Sequence, residues 1–494
     1  MNALKRIVVV GRDADGWITA FMLQKTIAAH KLDIELEFLE LPSDVNDGDF
    51  FSVQPSHRLL HDMLGAKEQT LLRLSGGMYS FGQRYNNWFG NGSSYMQSFD
   101  RSGVDFNQVP FYHYWQKAAN SGLKLPFEAF NVGAAAALAG RYVVFEQVGS
   151  TFSHASSGYQ FEARAYIATI AKAAIAAGLK HRATGIHQVK QSDLGISALV
   201  LSDGSEVTAD LFIDASGYEA LLINQLASGA VESWASAFPV DRLIVASAPK
   251  LTPLPAFNQI SAFKAGWVGI YPLLNKTTIN IACSSKHGKT SDVLERVSAS
   301  IGMKLFNPVE TLFAANHRPN PWVKNCIALG SAATNLEPLD GTHLLSLHLG
   351  LSALRGLLPQ YTDCAAEAAI FNRSMNKQME SVRDYLLARY KLNKRFGDAF
   401  WDAARAQTVP DTLAYRIDLF KSRGVIAQME DDVFIPEDWL ALFVGNQLST
   451  SNLDALIDKI PDDELMSKFQ QLLTYIKTEV EKMPLLQSYT EMTL

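Results

Sequence analysis

Residues Met1–Ala20 read MNALKRIVVVGRDADGWITA, and the reading of this stretch decides the fold. Ile7-Val8-Val9-Val10 is a β-branched run with the composition of a buried strand. Gly11 and Gly16 follow at the spacing of the first and last glycines of G-x-G-x-x-G, and an apolar stretch of helical length comes next. Strand, glycine turn and helix in that order cradle the pyrophosphate of a dinucleotide, because the turn presents backbone N–H groups and a helix N-terminus to the anion. At the middle position, where the backbone approaches the pyrophosphate, stands Asp13 rather than glycine.

The charge of Asp13 can be weighed. A carboxylate about 4 Å from a phosphate opposes each phosphate charge by roughly 4 kcal/mol at an effective dielectric near 20. Every ~1.4 kcal/mol is a tenfold loss of affinity. Turning the side chain to solvent lowers that cost. The alternative role is a cap on the following helix, since Asp is a favoured N-cap, and that role suits an empty nucleotide site. Glu40 closes the strand Glu35–Glu40, about two dozen residues after the turn, where an acidic residue commonly holds ribose hydroxyls. Without the preceding turn it would read as a solvated strand-end glutamate.

Composition sets outer bounds. A chain of 494 residues with 48% hydrophobic and 19% charged residues is ordinary for a globular protein, and long enough for about two or three subdomains. Its net charge of -6 gives no support for nucleic acid or an anionic membrane surface as partner. Cys283, Cys326 and Cys364 are widely spaced, without C-x-x-C, and point to a reducing cytoplasm. The N-terminus enters a strand almost at once, so no signal peptide is expected. No apolar run reaches the ~20 residues that span a bilayer. Gly133–Ala139 reads as a tight loop or a packed helix.

The first unit reads as strand Arg6–Val10, helix Gly16–Ala29 and strand Glu35–Glu40. The next hundred or so residues break that rhythm with aromatics such as Phe50-Phe51, Trp88-Phe89 and Phe111-Tyr112-His113-Tyr114-Trp115, as in an inserted substrate-side region. The α/β pattern resumes with helix Glu162–Ala177 and a meander of strands Lys180–Thr184, Gly185–Gln191, Ile196–Leu201 and Val207–Ile213. Asp214-Ala215-Ser216-Gly217 then returns the chain to the nucleotide domain. Phe238–Ala282 alternates like antiparallel strands, Asn325–Leu329 is another buried strand ending at Gly330-Ser331, and Leu344–Leu357 is a long helix. From Asp363 onward the pattern is helical.

Several motifs act together here: Gly11…Gly16-Trp17, the helix before Gly178, the Leu211–Gly217 strand, Gly266-Trp267…Pro272-Leu273, Glu337-Pro338-Leu339, and Phe371-Asn372 with Arg383-Asp384…Tyr390. In combination they resemble the flavin-dependent tryptophan halogenases along nearly the whole chain. The resemblance implies an α/β fold: a Rossmann-like FAD-binding domain of the p-hydroxybenzoate hydroxylase type, an antiparallel-sheet substrate region and a helical C-terminal region. The expected division is 1–49, 150–225 and 320–360 for the FAD-binding-like domain, 50–149 and 226–319 for the substrate side, and 361–494 for the C-terminal helices. The last of these would cover the substrate side or form a homodimer contact. The resemblance also implies FAD, a separate flavin reductase supplying FADH2, and a small aromatic or peptide substrate. In that family the flavin hydroperoxide oxidises chloride, and hypochlorous acid travels to a lysine that chlorinates an aromatic ring beside a glutamate.

Carried over position by position, most of this machinery is altered. The family's lysine lies eight residues before an Asn-Trp tryptophan, which is Ser80 here, counting from Trp88. A serine hydroxyl can hold neither a chloramine nor a positive charge. The partner glutamate matches Asp340, its serine neighbour Gly341, Thr342 is kept, and the next glycine is His343. His343 would be a new acid–base group, although a packed histidine is the commoner case. The motif W-x-W-x-I-P reads Trp267-Val268-Gly269-Ile270-Tyr271-Pro272, and loss of its second tryptophan is expected to open the tunnel. The strand-end Gly-Asp that holds the ribityl chain is Gly330-Ser331, and the flavin-facing strap is Phe50-Phe51-Ser52, bulky enough to fill flavin space. Gly11, Asp13, Gly16, Trp17, Glu40, Asp214, Gly217, Gly330 and Ser331 are the candidate cofactor contacts, and no metal site is expected. Three functions follow: a family flavoprotein that oxygenates without halogenating, a pseudoenzyme that binds a small molecule or a protein, and an active halogenase, which Ser80 speaks against.

Overall fold

The computed structural model describes residues 2–142, 156–227 and 229–493. The chain divides into two compact units. The first holds Met1–Gly77, Phe161–Ser236 and Phe313–Glu380; the second holds Met78–Gln160, Ala237–Leu312 and Ser381–Leu494. This division differs from the three parts expected above. Residues 50–77 group with the nucleotide-type unit, and the C-terminal helices are shared, because the helix Ala365–Lys391 starts in one unit and ends in the other. The boundary expected near residue 150 lies outside the described residues.

The first unit is built on a six-stranded sheet in the order Trp322–Val323, Cys326–Ala328, Leu211–Ala215, Arg6–Gly11, Glu35–Glu40, His181–Ala183. All neighbours are parallel except the first pair. Parallel strands buried on both faces need continuous apolar runs, and Ile7, Val8, Val9 and Val10 are all fully buried. Val8 and Val10 pack with Leu39, Phe212 and Ala328 under Ile196, Leu199 and Leu201 of the meander hairpin. Ile7 and Val9, of opposite parity, face the other way. Each such side chain contributes roughly 1.5–3 kcal/mol by leaving water. The helix Asp13–Ala29 is buried on most sides, from Ala14 through Trp17, Phe21 and Leu23. The expected strand Val207–Ile213 is interrupted into Glu206–Val207 and Leu211–Ala215. At the break the Asp210 carboxylate accepts hydrogen bonds from the Lys5 and Arg6 N–H groups.

The second unit is built on a seven-stranded sheet in the order Phe306–Leu312, Arg242–Ala248, Thr277–Cys283, Gly266–Pro272, Asn258–Phe263, Gly82–Asn86, Ser94–Ser98. Only the pair Asn258–Phe263 and Gly82–Asn86 is parallel. Ile244, Val268, Ile270, Ile279 and Ile281 form its core with Val293 and Val297 of the helix Thr290–Ile301. Residues 133–138 fall in a helix, Val132–Leu138, with Ala139 at its C-terminal cap and the Asn131 side chain capping it on the Ala134 N–H. The Arg383-Asp384…Tyr390 motif is structural: Arg383 pairs with Asp384 at 2.8 Å, and the Tyr390 hydroxyl accepts the Trp267 Nε1–H at 2.9 Å. All three cysteines are buried and free. Among the described residues no helix is long and apolar enough to cross a membrane.

Candidate functional site

The glycine turn is tight enough to require both of its glycines. A Cβ on Gly11 would lie 2.6 Å from the Gly16 Cα, and a Cβ on Gly16 would lie 2.7 Å from the Gly11 carbonyl carbon. Strand and helix meet there with no room for a side chain. Asp13 sits in the left-handed region at φ 49°, a conformation that glycine takes freely and Asp tolerates. The backbone shape of the turn therefore survives the substitution. The capping role considered for Asp13 is not observed. The helix starts at Asp13 itself, the preceding Arg12 makes no side-chain cap, and the Asp13 carboxylate accepts from Ser43 Oγ at 2.5 Å and from the Asp44 N–H at 3.0 Å. Positive φ carries the side chain onto the 43–44 segment rather than onto the first helical N–H groups.

A second carboxylate, missed in the sequence, holds the centre of the turn. Asp15 Oδ2 accepts the Ser331 N–H at 2.9 Å. Gly330, at φ 59°, passes so close that a Cβ there would lie 2.5 Å from the Asp15 carboxyl carbon. Desolvation pushes the Asp15 carboxyl up to about 6, against the hydrogen bonds from Ser331 and with a further push from Asp13. The nearby cation, Arg12, is already engaged by Asp44 and by Glu219, the latter at 2.7 Å. The turn thus keeps its shape but gains two carboxylates, and its one arginine is neutralised by two more.

On the ribose side, Glu40 Oε1 accepts the Trp17 indole N–H at 3.1 Å, and Trp17 packs edge-on against Phe38. Trp17 fixes the orientation of Glu40 while leaving its second oxygen at 3.7 Å from His181 Nε2. Asp214 is fully buried and spent internally. It accepts from the Ser216 N–H and hydroxyl with one oxygen, and from the Leu222 and Ile223 N–H groups with the other. These bonds shape the turn carrying Gly217, which lies at φ 81°.

Asp340, Gly341, Thr342 and His343 form one strained loop in the first unit. Asp340 and Gly341 take φ 59° and 73°, and Leu344 also lies at φ 59°; non-glycine residues there persist only when their surroundings enforce them. Asp340 is buried, and its carbonyl accepts from Gln54 Nε2. The Thr342 hydroxyl lies 2.7 Å from the Leu339 carbonyl and 3.1 Å from that of Glu337, so its proton closes the loop. His343 Nδ1 is 3.2 Å from the Ser52 carbonyl, which can only accept, so Nδ1 carries the proton. Its ring packs on Phe50 at 4.8 Å. Desolvation lowers His343 to about 4 despite that bond. It is a packed neutral imidazole at pH 7. Phe50 and Phe51 do not act together, because successive strand residues face opposite ways: Phe50 meets His343, and Phe51 meets Tyr166 at 5.7 Å.

Ser80 belongs to the second unit. It is fully buried at the end of strand Met78–Ser80, which pairs antiparallel with residues 158–160. Its hydroxyl donates to the Gly82 carbonyl at 2.9 Å, a bond made two residues away along the chain. In the Trp267–Pro272 strand, Tyr271 lies beside the glycine that stands at the motif's second tryptophan. A Cβ on Gly269 would lie 2.4 Å from the Tyr271 ring, so tyrosine fills the space beside the glycine. Among the described residues, no three His, Cys, Asp or Glu side chains gather to hold a metal ion.

A parallel sheet opening on a glycine turn, a strand-end glutamate and a second, largely antiparallel unit define a flavoprotein of the p-hydroxybenzoate hydroxylase architecture. The tryptophan halogenase family profile matches residues 6–462, and the chain belongs to that family. It is 23% identical over 446 residues to the tryptophan 6-halogenase ThaL of Streptomyces albogriseolus, covering 85% of this chain and 82% of that protein. The solved structure of BrvH, a flavin-dependent halogenase from Brevundimonas sp. BAL3, superposes with a TM-score of 0.94 at 26% identity, covering 99% of each chain. Xcc4156, a flavin-dependent halogenase from Xanthomonas campestris, superposes at 0.93 with 23% identity, covering 100% of this chain and 99% of that one. Family membership implies FAD as the cofactor. The frame fits a dinucleotide at Gly11, Gly16 and Glu40. The anion-binding end does not fit, since Asp15 holds the Ser331 N–H and brings a charge of the same sign as the pyrophosphate.

Proposed function

We propose that this tryptophan halogenase family member does not halogenate through a lysine and serves as a non-catalytic binding protein for a small aromatic molecule or a peptide. The observation that carries this reading is Ser80. At the position matching the family's lysine, a short neutral side chain is buried and its proton is committed to the Gly82 carbonyl. It supplies no amine to carry halogen and no positive charge to polarise an oxidant. Oxygenation without lysine would draw on Asp340 or His343 as its acid–base group; His343, lowered to about 4 by burial, is not a proton donor at neutral pH. A flavin reductase would be a partner only of a form that takes up FAD, and self-association into a homodimer belongs to the same proposal. The test is turnover with a flavin reductase, NADH, FAD, oxygen and chloride or bromide, with tryptophan and indole offered and products read by mass. The reading predicts no halogenated product above a reductase-only control. Catalytic halogenation would overturn it, and a hydroxylated product would transfer the assignment to oxygenation.

A further inference from the structure

We infer that Asp15 is a built-in anion in the glycine turn, which ties up the Ser331 N–H beside the turn and repels the phosphates of a dinucleotide, and so holds the cofactor cradle closed to anions. The inference rests on the reading of this unit as an FAD frame and goes beyond it by naming the side chain that limits occupancy. Three observations carry it. The Asp15 carboxylate already takes the Ser331 N–H at 2.9 Å. The left-handed Gly330 lies against the carboxyl group so closely that no side chain fits between them. The turn's arginine is held by Asp44 and Glu219 and does not neutralise Asp15. Asp13, the more conspicuous substitution in the sequence, is not the gate. Its carboxylate is turned onto Ser43 and the Asp44 N–H.

An intramolecular anion competes with a ligand anion in two ways. It saturates the hydrogen-bond donor, and it repels a like charge at short range, where the dielectric is low. Removing it should therefore strengthen binding of any ligand that carries the pyrophosphate more than binding of the same ring system without phosphates.

The experiment titrates ADP, FAD and riboflavin into the wild-type chain and the Asp15→Ala, Asp15→Asn and Asp13→Ala variants at pH 7.5, by calorimetry and flavin fluorescence, with thermal melting to show that each is folded. ADP and FAD should bind D15A at least tenfold more tightly than wild type, D15N should fall between, D13A should shift less than D15A, and riboflavin should shift less than either phosphate-bearing ligand. Equal or weaker binding of ADP and FAD by folded D15A overturns the inference, as does a failure of D15A to bind ADP at millimolar concentration. Should D15A not fold, D15N decides in the same way: tighter binding than wild type supports the inference, and equal binding overturns it. None of these outcomes depends on halogenation, so the role of Ser80 and the role of Asp15 fail separately.

Discussion

Two residues of the R-D-A-D-G turn show how far a sequence can be read. Asp13 stands out because it replaces a motif glycine and sets a carboxylate against the phosphates. Its left-handed backbone and its bonds to the 43–44 segment were not visible, because a motif specifies spacing and not the direction of a side chain. Asp15 drew no attention, since its partner Ser331 lies 316 residues away. A second acid within the glycine turn was the available signal. Asp15 also gives the site a pH dependence whose sign is fixed. With its carboxyl at about 6, it is ionised at pH 7.5 and opposes a phosphate; it is largely neutral at pH 5.5 and does not. Asp13 pushes this value up and the Ser331 N–H and hydroxyl pull it down; the Tyr218 hydroxyl shares Ser331. The ratio of D15A to wild-type affinity for ADP should therefore shrink as pH falls from 7.5 to 5.5. Taking the ratio cancels the titration of ADP itself. A ratio independent of pH would show that Asp15 does not titrate in this window.

At the scale of elements, periodicity was a good guide where one face or both faces of a strand are buried. Glu35–Glu40 was read to the residue, and Arg6–Val10 to within one. The break at Asp210 was not read, because the sequence does not show that its carboxylate bonds back to the first strand. The Trp267–Pro272 strand was read as a lost motif and an opened passage. Gly269 and Tyr271 are two apart and share a face, so the exchange of one bulky residue for its neighbour was legible in principle. The packing makes a quantitative claim. Gly269→Ala places a methyl group 2.4 Å from the Tyr271 ring and should cost about 1–3 kcal/mol in urea unfolding, as overpacking of a core does. Adding Tyr271→Ile should restore part of that loss. Additive costs in the double variant would mean that the two side chains do not contend for the same space.

At the scale of the molecule, the fold was legible because it rests on distributed features: the strand–turn–helix at the N-terminus, the return through Leu211–Gly217, and the Glu-Pro-Leu segment. Such features survive drift, and the match to BrvH along the whole chain reflects this. The proposed loss of lysine chemistry rests on Ser80, which can be counted from Trp88. The charge balance of the cradle was not legible, because it depends on Arg12, Asp15, Asp44 and Glu219 converging from segments far apart in the chain. We propose that the dinucleotide frame has outlived its affinity for the dinucleotide. The direct measurement is a titration of the wild-type chain with FAD at pH 7.5, followed by flavin absorbance and by the shift in melting temperature. The account predicts a Kd weaker than about 100 µM and little thermal stabilisation at concentrations below it. Binding at micromolar concentration or tighter, with a clear rise in Tm, would contradict it.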